Sequence, residues 1–265
     1  MPTPSPSSSL QDRILNLVQT LQFAWFAGHV LTLVGSALHF LSVVMFRSAS
    51  KPYTIAYVGA LISYGVVIYK THGTPQLNTH YAQRLVMDEN VQYLLLALYW
   101  FFSKPISVTL VPFATFSTFH ALGYVRSNII PTVFPVPPST ASSSSGSGPV
   151  TWQAKTQQRI KSWTDKNYDA AMRFVAQIEV VGIMGRLLLG VFRFQIMSIF
   201  LYAQFLRFRY HLSTYNRQAF TRLRVVLDNV SRDPRVPPVV VRAYMSAKDM
   251  IIRYGQAVVQ QQPRQ

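Results

Sequence analysis

The sequence predicts an all-α, multi-pass helical membrane protein in which transmembrane hairpins are followed by C-terminal amphipathic helices lying on the membrane surface. Three observations predict this class. Ile14 to Phe46 holds no Lys, Arg, Asp or Glu, and a second uncharged stretch runs from Tyr53 to Tyr69. The chain of 265 residues is 49% hydrophobic and only 13% charged, which suits lipid as solvent for much of its length. The charge that remains is displaced towards the end: residues 1–150 carry seven Lys/Arg against three Asp/Glu, whereas residues 151–265 carry eighteen against six. The net charges are therefore +4 and +12.

Taken in order, the chain opens with a polar Pro/Ser-rich tail, residues 1–22, ahead of an apolar run too long for a cleavable signal core. Trp25 to Phe46 supplies 22 residues, and a hydrocarbon core of about 30 Å needs roughly 20. Because unpaired backbone groups cost several kcal/mol in lipid, the segment must be helical. The short loop Arg47 to Pro52 then leads to Tyr53–Tyr69 as the second arm of a hairpin. At about 25 Å that arm is short. Lys70 to Glu89 reads as a polar loop with a short interfacial helix. Asn90–Ser103 and Ile106–Val125 follow as a second hairpin whose first arm is shallow, with Pro105 and Pro112 expected to break or kink it. Both pairs lie within residues 23–126.

Residues 127–151, rich in Pro, Ser and Gly, read as a flexible linker. Residues 152–212 read as a basic helix followed by a membrane segment, Val180 to Leu206, interrupted by Arg186 and Arg193. Each mid-membrane Arg costs about 2.5 to 3.5 kcal/mol on insertion scales, which argues against a simple span. Spacings of seven and fourteen put Arg186, Arg193 and Arg207 within roughly 60° on a single helix. Residues 213–265 form a basic amphipathic tail. Phe220, Leu223, Leu227 and Val230 share one face of its first helix; Val240, Tyr244, Ala247, Ile251, Tyr254 and Val258 share one face of its second. The expected membrane-insertion face is Phe220, Leu223, Leu227, Tyr244, Ile251 and Val258. Arg217, Arg222, Arg224, Arg242, Lys248 and Arg253 are expected to meet headgroups or a partner. The same stripes would also serve as the core of a small soluble bundle.

Candidate chemistry is sparse. With no cysteine, thiolate sites and disulfides are excluded. The histidines at 29, 39, 72, 80, 120 and 211 show no metal-ligand spacing. Asp88-Glu89, the sole adjacent acidic pair, reads as a helix N-terminus. Neither a phosphate loop nor a dinucleotide fingerprint is present, so no catalytic, metal or cofactor residue is predicted. A +12 segment tethered to a bilayer favours anionic lipid headgroups over nucleic acid as its partner. The competing readings are a channel or transporter subunit lined by Arg186 and Arg193, and a lipid-modifying enzyme using His120 or His39, which has no paired acid beside either.

From Tyr202 to Val230, the pattern Tyr202, Phe205, Leu206, Arg209 and Tyr210, then Tyr215, Arg217, Phe220, Leu223, Arg224 and Val226, resembles the transmembrane protein 33 family, also called the Krüppel-homologue or fungal pore-membrane and tubule-shaping family. Looser agreement, including an apolar segment containing Glu179, extends over most of the chain. The Ser/Gly run at 139–148 departs from the metazoan pattern and implies a fungal member. What the resemblance implies is a non-enzymatic multi-pass protein of the endoplasmic reticulum and nuclear envelope with cytosolic termini. Roles in tubule organisation and nuclear pore assembly or distribution are implied too, with reticulon-type, nuclear pore and import-receptor partners. It supplies no catalytic residues.

Overall fold

The computed structural model describes residues 9–76, 78–135, 151–190 and 196–259, and among them every regular element is helical. They fall into two units that divide after Asn216.

In the first unit, the long uncharged run is divided between two helices. α1, Leu10–Val18, starts at a capping box in which Ser9 and Asp12 satisfy each other's backbone N–H groups. Thr20 then caps α2, Leu21–Val44, its hydroxyl accepting from the Phe23 N–H at 3.1 Å. The chain reverses at Phe46, which is fully exposed in the left-handed region with φ 55°. α3, Ser50–His72, has 23 residues and is about 35 Å long, so the second arm is longer than its uncharged stretch predicts. Lys51, Pro52 and Lys70 belong to its end turns, where Pro is tolerated and cationic heads reach the interface.

Small residues set the α2–α3 contact. Gly28 and Gly35 on α2 are seven apart and face Gly59, Ala56 and Ser63 on α3. A methyl group at Gly35 would stand 2.5 Å from the Ala56 backbone nitrogen, and one at Gly59 would stand 2.5 Å from the Gly28 carbonyl oxygen. Backbones this close replace the missing hydrophobic drive between helices in lipid with van der Waals contact. The outward side of α2 exposes Val30, Val34, Leu38 and Leu41.

The polar connection after α3 contains α4, Thr79–Met87. α5, Glu89–Phe102, covers the stretch expected as a shallow arm and has 14 residues capped by Asp88. A 3₁₀ turn, Ser107–Thr109, leads into α6, Leu110–Tyr124, which continues through a π turn, Val125–Ile129, into α7, Ile130–Val133. Pro112 does not break this rod, because it falls in the first turn of α6. Residues 127–133, assigned to the linker on their prolines and polar neighbours, are instead helical, with Ile130 buried. Residues 136–150, which include the Ser/Gly run, lie outside the described residues. Among the described residues, three helices are long and apolar enough to cross a membrane: Leu21–Val44, Ser50–His72 and Ser107–Val133.

α8, Trp152–Gln177, runs through a second π turn, Ile178–Ile183, into α9, Met184–Leu188. The chain turns at Leu189-Gly190, and α10 is Ile196–Leu212. Arg186 and Arg207 consequently sit on different helices and form no common stripe, while Arg193 lies outside the described residues. Ser213 separates α10 from α11, Thr214–Ser231.

The second unit holds most of α11 and α12, Pro238–Val259. Asp233-Pro234 lies in the turn between them, and Pro238 occupies the first helical position of α12.

Candidate functional site

Glu179 is an acid within a predominantly apolar segment, and it is 1% exposed. A carboxylate so placed requires several polar partners. Tyr93 on α5 donates its hydroxyl to Glu179 Oε1 at 2.5 Å, and Asn216 on α11 donates Nδ2 to Oε2 at 2.9 Å. Arg209 on α10 brings Nε to 3.6 Å from Oε2, while its Nη2 donates to Asn216 Oδ1 at 3.4 Å. On the other side of the guanidinium, Nη1 lies 2.9 Å from Glu89 Oε2, an ion pair outside hydrogen-bond geometry. Tyr202 donates to the Glu179 backbone carbonyl at 3.0 Å. The π turn explains that bond: widening the helix releases a carbonyl from its i+4 donor.

Aromatic rings enclose the charges. Tyr93 stacks on Tyr64 of α3 with centroids 5.7 Å apart, meets Phe205 edge-on at 5.4 Å, and lies 5.2 Å beneath the Arg209 guanidinium. The arrangement is a clasp that joins α5, the α8–α9 rod, α10 and the first turn of α11. Both carboxylate oxygens of Glu179 are engaged by protein groups, which suits holding helices together better than proton transfer to a substrate.

Four residues of the Tyr202–Tyr210 pattern, namely Tyr202, Phe205, Leu206 and Arg209, are buried, with Tyr202 and Arg209 touching Glu179 directly; Tyr210 is exposed. Sequence reasoning grouped those residues but missed Glu179, Tyr93 and Asn216 as their partners. The available signal was the acid itself, since an ionisable group in an apolar run implies a counter-charge elsewhere. His29, His39 and His72 make polar contacts between elements. His29 Nδ1 is 3.0 Å from Ser117 Oγ, and His39 donates Nδ1 to the Ala49 carbonyl at 2.8 Å while Nε2 lies 2.9 Å from Ser107 Oγ. His72 donates to Asp88 Oδ2 at 2.7 Å. Burial opposes the Asp88 carboxylate, but this bond and the Asn90 and Val91 N–H groups outweigh it and hold its pKa below the ordinary value.

The basic hairpin is built around Asp228. Lys248 Nζ and the Tyr244 hydroxyl each donate to Asp228 Oδ1 at 2.6 Å, and Arg224 Nε lies 3.6 Å from Oδ2. These bonds, that of Lys248 first, hold the Asp228 pKa down to about 2. Tyr244 and Lys248, one expected on the inserted face and the other among the headgroup contacts, thus meet at one carboxylate and join α11 to α12. Arg222, Arg242 and Arg253 are exposed and Arg217 is partly so. Phe220 and Leu223 are partly buried, and Leu227 is exposed along with Val225, Val226, Val230, Val239, Val240, Met245 and Met250. Ile251 and Val258 lie on α12, but their side chains are outside the described residues.

The sequence pattern of the Transmembrane protein 33/Nucleoporin POM33 family matches residues 3–257. Tetra-spanning protein 1 of Schizosaccharomyces pombe is 33% identical over 260 residues, covering 94% of this chain and 90% of that protein. Nucleoporin POM33 of Chaetomium thermophilum is 36% identical over 251 residues, covering 89% and 86%. Pore membrane protein of 33 kDa of Saccharomyces cerevisiae is 33% identical over 273 residues, covering 96% and 90%. No solved structure matches. With its membrane-length helices and a match running almost end to end, the chain belongs to the Transmembrane protein 33/Nucleoporin POM33 family.

Proposed function

We propose that this chain is a non-enzymatic, multi-pass protein of the endoplasmic reticulum and nuclear envelope that stabilises curved membrane. On this reading it supports nuclear pore assembly and distribution and organises tubules, with both termini cytosolic. The names of its relatives support the pore and reticulum settings. The observation that carries the mechanism is the C-terminal hairpin, where exposed valines and methionines accompany exposed Arg222, Arg242 and Arg253 behind membrane-length helices.

An apolar face beside cationic heads favours shallow insertion among anionic headgroups. Phe220, Leu223, Leu227, Ile251 and Val258 would enter the headgroup boundary. Arg217, Arg222, Arg224, Arg242 and Arg253 would meet phosphates, while Tyr244 and Lys248 hold the hairpin through Asp228. α5, with 14 residues and about 21 Å, adds a shallow arm, so more helix occupies one leaflet than the other. Both effects expand the cytosolic leaflet. Reticulon-type proteins, nuclear pore proteins and import receptors are the partners this reading names.

A tagged copy at native abundance should concentrate at the nuclear rim and on tubules, and deleting residues 217–265 should spread it evenly through the reticulum. An unchanged distribution after that deletion would remove the tail from the mechanism.

A further inference from the structure

Between the end of the third span and the start of α8 lies an open groove of ≈ 480 Å³ lined chiefly by Arg126, Ser127, Pro131, Gln157, Gln158 and Lys161, with Arg126 and Gln157 half-buried and the others exposed. It contains no acidic residue, and among the described residues neither Arg126 nor Lys161 is paired with a carboxylate. Two cations lining one groove without counter-charges make it a favourable place for an anion. The backbone is also unusual there. Arg126 and Ser127 lie in the π turn, and Pro131, which has no N–H, leaves a carbonyl of that turn without its helical donor.

The position indicates where such an anion comes from. Arg126 follows the apolar part of α6, and two tryptophans flank the groove on α8. Trp152 meets Phe134 edge-on at 4.9 Å, Trp163 stacks on Phe119 at 5.8 Å, and both indoles are about half exposed. Half-exposed tryptophans beside a cation at the end of a span mark the headgroup layer. Arg126 and Lys161 provide for phosphate oxygens, whereas the Gln157 and Gln158 amides provide donors and acceptors for a polyol; the Ser127 hydroxyl is already engaged, donating to the Gly123 carbonyl at 2.8 Å.

We propose that this groove binds the phosphorylated inositol headgroup of an anionic membrane lipid. A phosphate alone would leave the amides unused, and a choline headgroup would oppose both cations. The shared chemistry with a soluble inositol phosphate is the phosphomonoester on a hydroxylated ring. The proposal deepens the membrane reading but depends only on the third span reaching the headgroup layer, not on pores or curvature.

The test uses the full chain in detergent micelles, titrated with short-chain phosphatidylinositol phosphate and followed by tryptophan fluorescence. At about 1 kcal/mol for each cation near an anionic group, Arg126→Gln and Lys161→Gln should each weaken binding about five-fold and together about twenty-five-fold. Gln158→Glu, at an exposed position, places an acid on the rim without touching the core and should weaken binding similarly. Arg222→Gln with Arg253→Gln in the tail should change it by less than about two-fold, since screened charges outside the groove contribute little. Soluble inositol trisphosphate should compete. An unchanged dissociation constant in the Arg126/Lys161 double variant would overturn the site, and equal competition by inorganic phosphate would overturn the headgroup assignment. Neither result would alter how the tail behaves on curved vesicles, so the two readings fail separately.

Discussion

Removing the carboxylate of Glu179 tests how the first unit is held together. Glu179→Leu keeps the volume close and deletes three interactions at once: the acceptors for Tyr93 at 2.5 Å and Asn216 at 2.9 Å, and the counter-charge 3.6 Å from Arg209 Nε. Breaking a buried ion pair by removing one partner costs about 3 to 5 kcal/mol. Two facts place the expectation at the lower end. Arg209 retains Glu89, whose side chain is 48% exposed and hydrated, and polar contacts in a membrane protein average only about 0.6 kcal/mol each because the unfolded chain finds other partners. A loss of about 3 kcal/mol follows, and at about 2 to 4 °C per kcal/mol for a chain of this size it lowers the melting temperature by about 6 to 12 °C. Glu179→Gln, which keeps one acceptor, should lose about half as much. Arg209→Met alone should resemble Glu179→Leu, while the double variant should recover part of the loss, with a coupling of at least about 1 kcal/mol. Thermal unfolding in detergent, read by fluorescence-detected size exclusion, measures all four corners. Additive single losses, or a Glu179→Leu protein that melts with the wild type, would refute the clasp.

Gly35→Leu should separate α2 from α3, since even a methyl group stands 2.5 Å from the Ala56 backbone nitrogen. The cost is about 1 to 3 kcal/mol or more, visible as reduced yield of monodisperse protein, whereas Gly65→Ala, which meets nothing within 4 Å, should be silent. Asp228 has a pKa of about 2 against an ordinary 3.8, so its stabilisation of the tail hairpin is complete above the ordinary value and is lost as pH falls through about 2. Asp228→Asn should abolish that dependence and speed hydrogen exchange in α11 and α12 at neutral pH. For topology, a cysteine replacing Ser48 in the loop between α2 and α3 should be protected from an impermeant maleimide in sealed microsomes, and one replacing Ser145 should react; the reverse pattern would overturn cytosolic termini.

The helices and their types were legible because lipid makes the rules strict: an uncharged stretch must satisfy its backbone internally, so Tyr53–Tyr69 could only be helix. Its ends were not legible, because charge absence marks where lipid begins rather than where hydrogen bonding stops. α3 accordingly takes in Lys51 and Lys70, and α1 separates from α2 at Thr20, a cap hidden in apolar sequence. Helix through Ile130 was obscured by neighbouring prolines, although Pro131 needs no N–H at the start of a short turn. The clasp was half legible. Spacing on α10 brought Tyr202, Phe205, Leu206 and Arg209 together, but pairing them with Tyr93, 86 residues before Glu179, requires the tertiary arrangement of four elements. Likewise the stripe of Arg186 and Arg207 assumed one helix where the chain turns at Gly190.

Curvature-dependent binding by the tail is the central claim, and vesicle flotation of residues 213–262 measures it directly. The wild-type segment should gain helix on anionic vesicles and bind small ones more than large ones, with a partial loss at high salt because headgroup attraction is screened over about 8 Å at physiological ionic strength. Leu223→Asp with Leu227→Asp should remove the binding, each charge costing about 1 to 3 kcal/mol according to its depth. Equal flotation of wild type and double variant, at either vesicle size, would contradict the account and assign the apolar stripe to a protein partner instead.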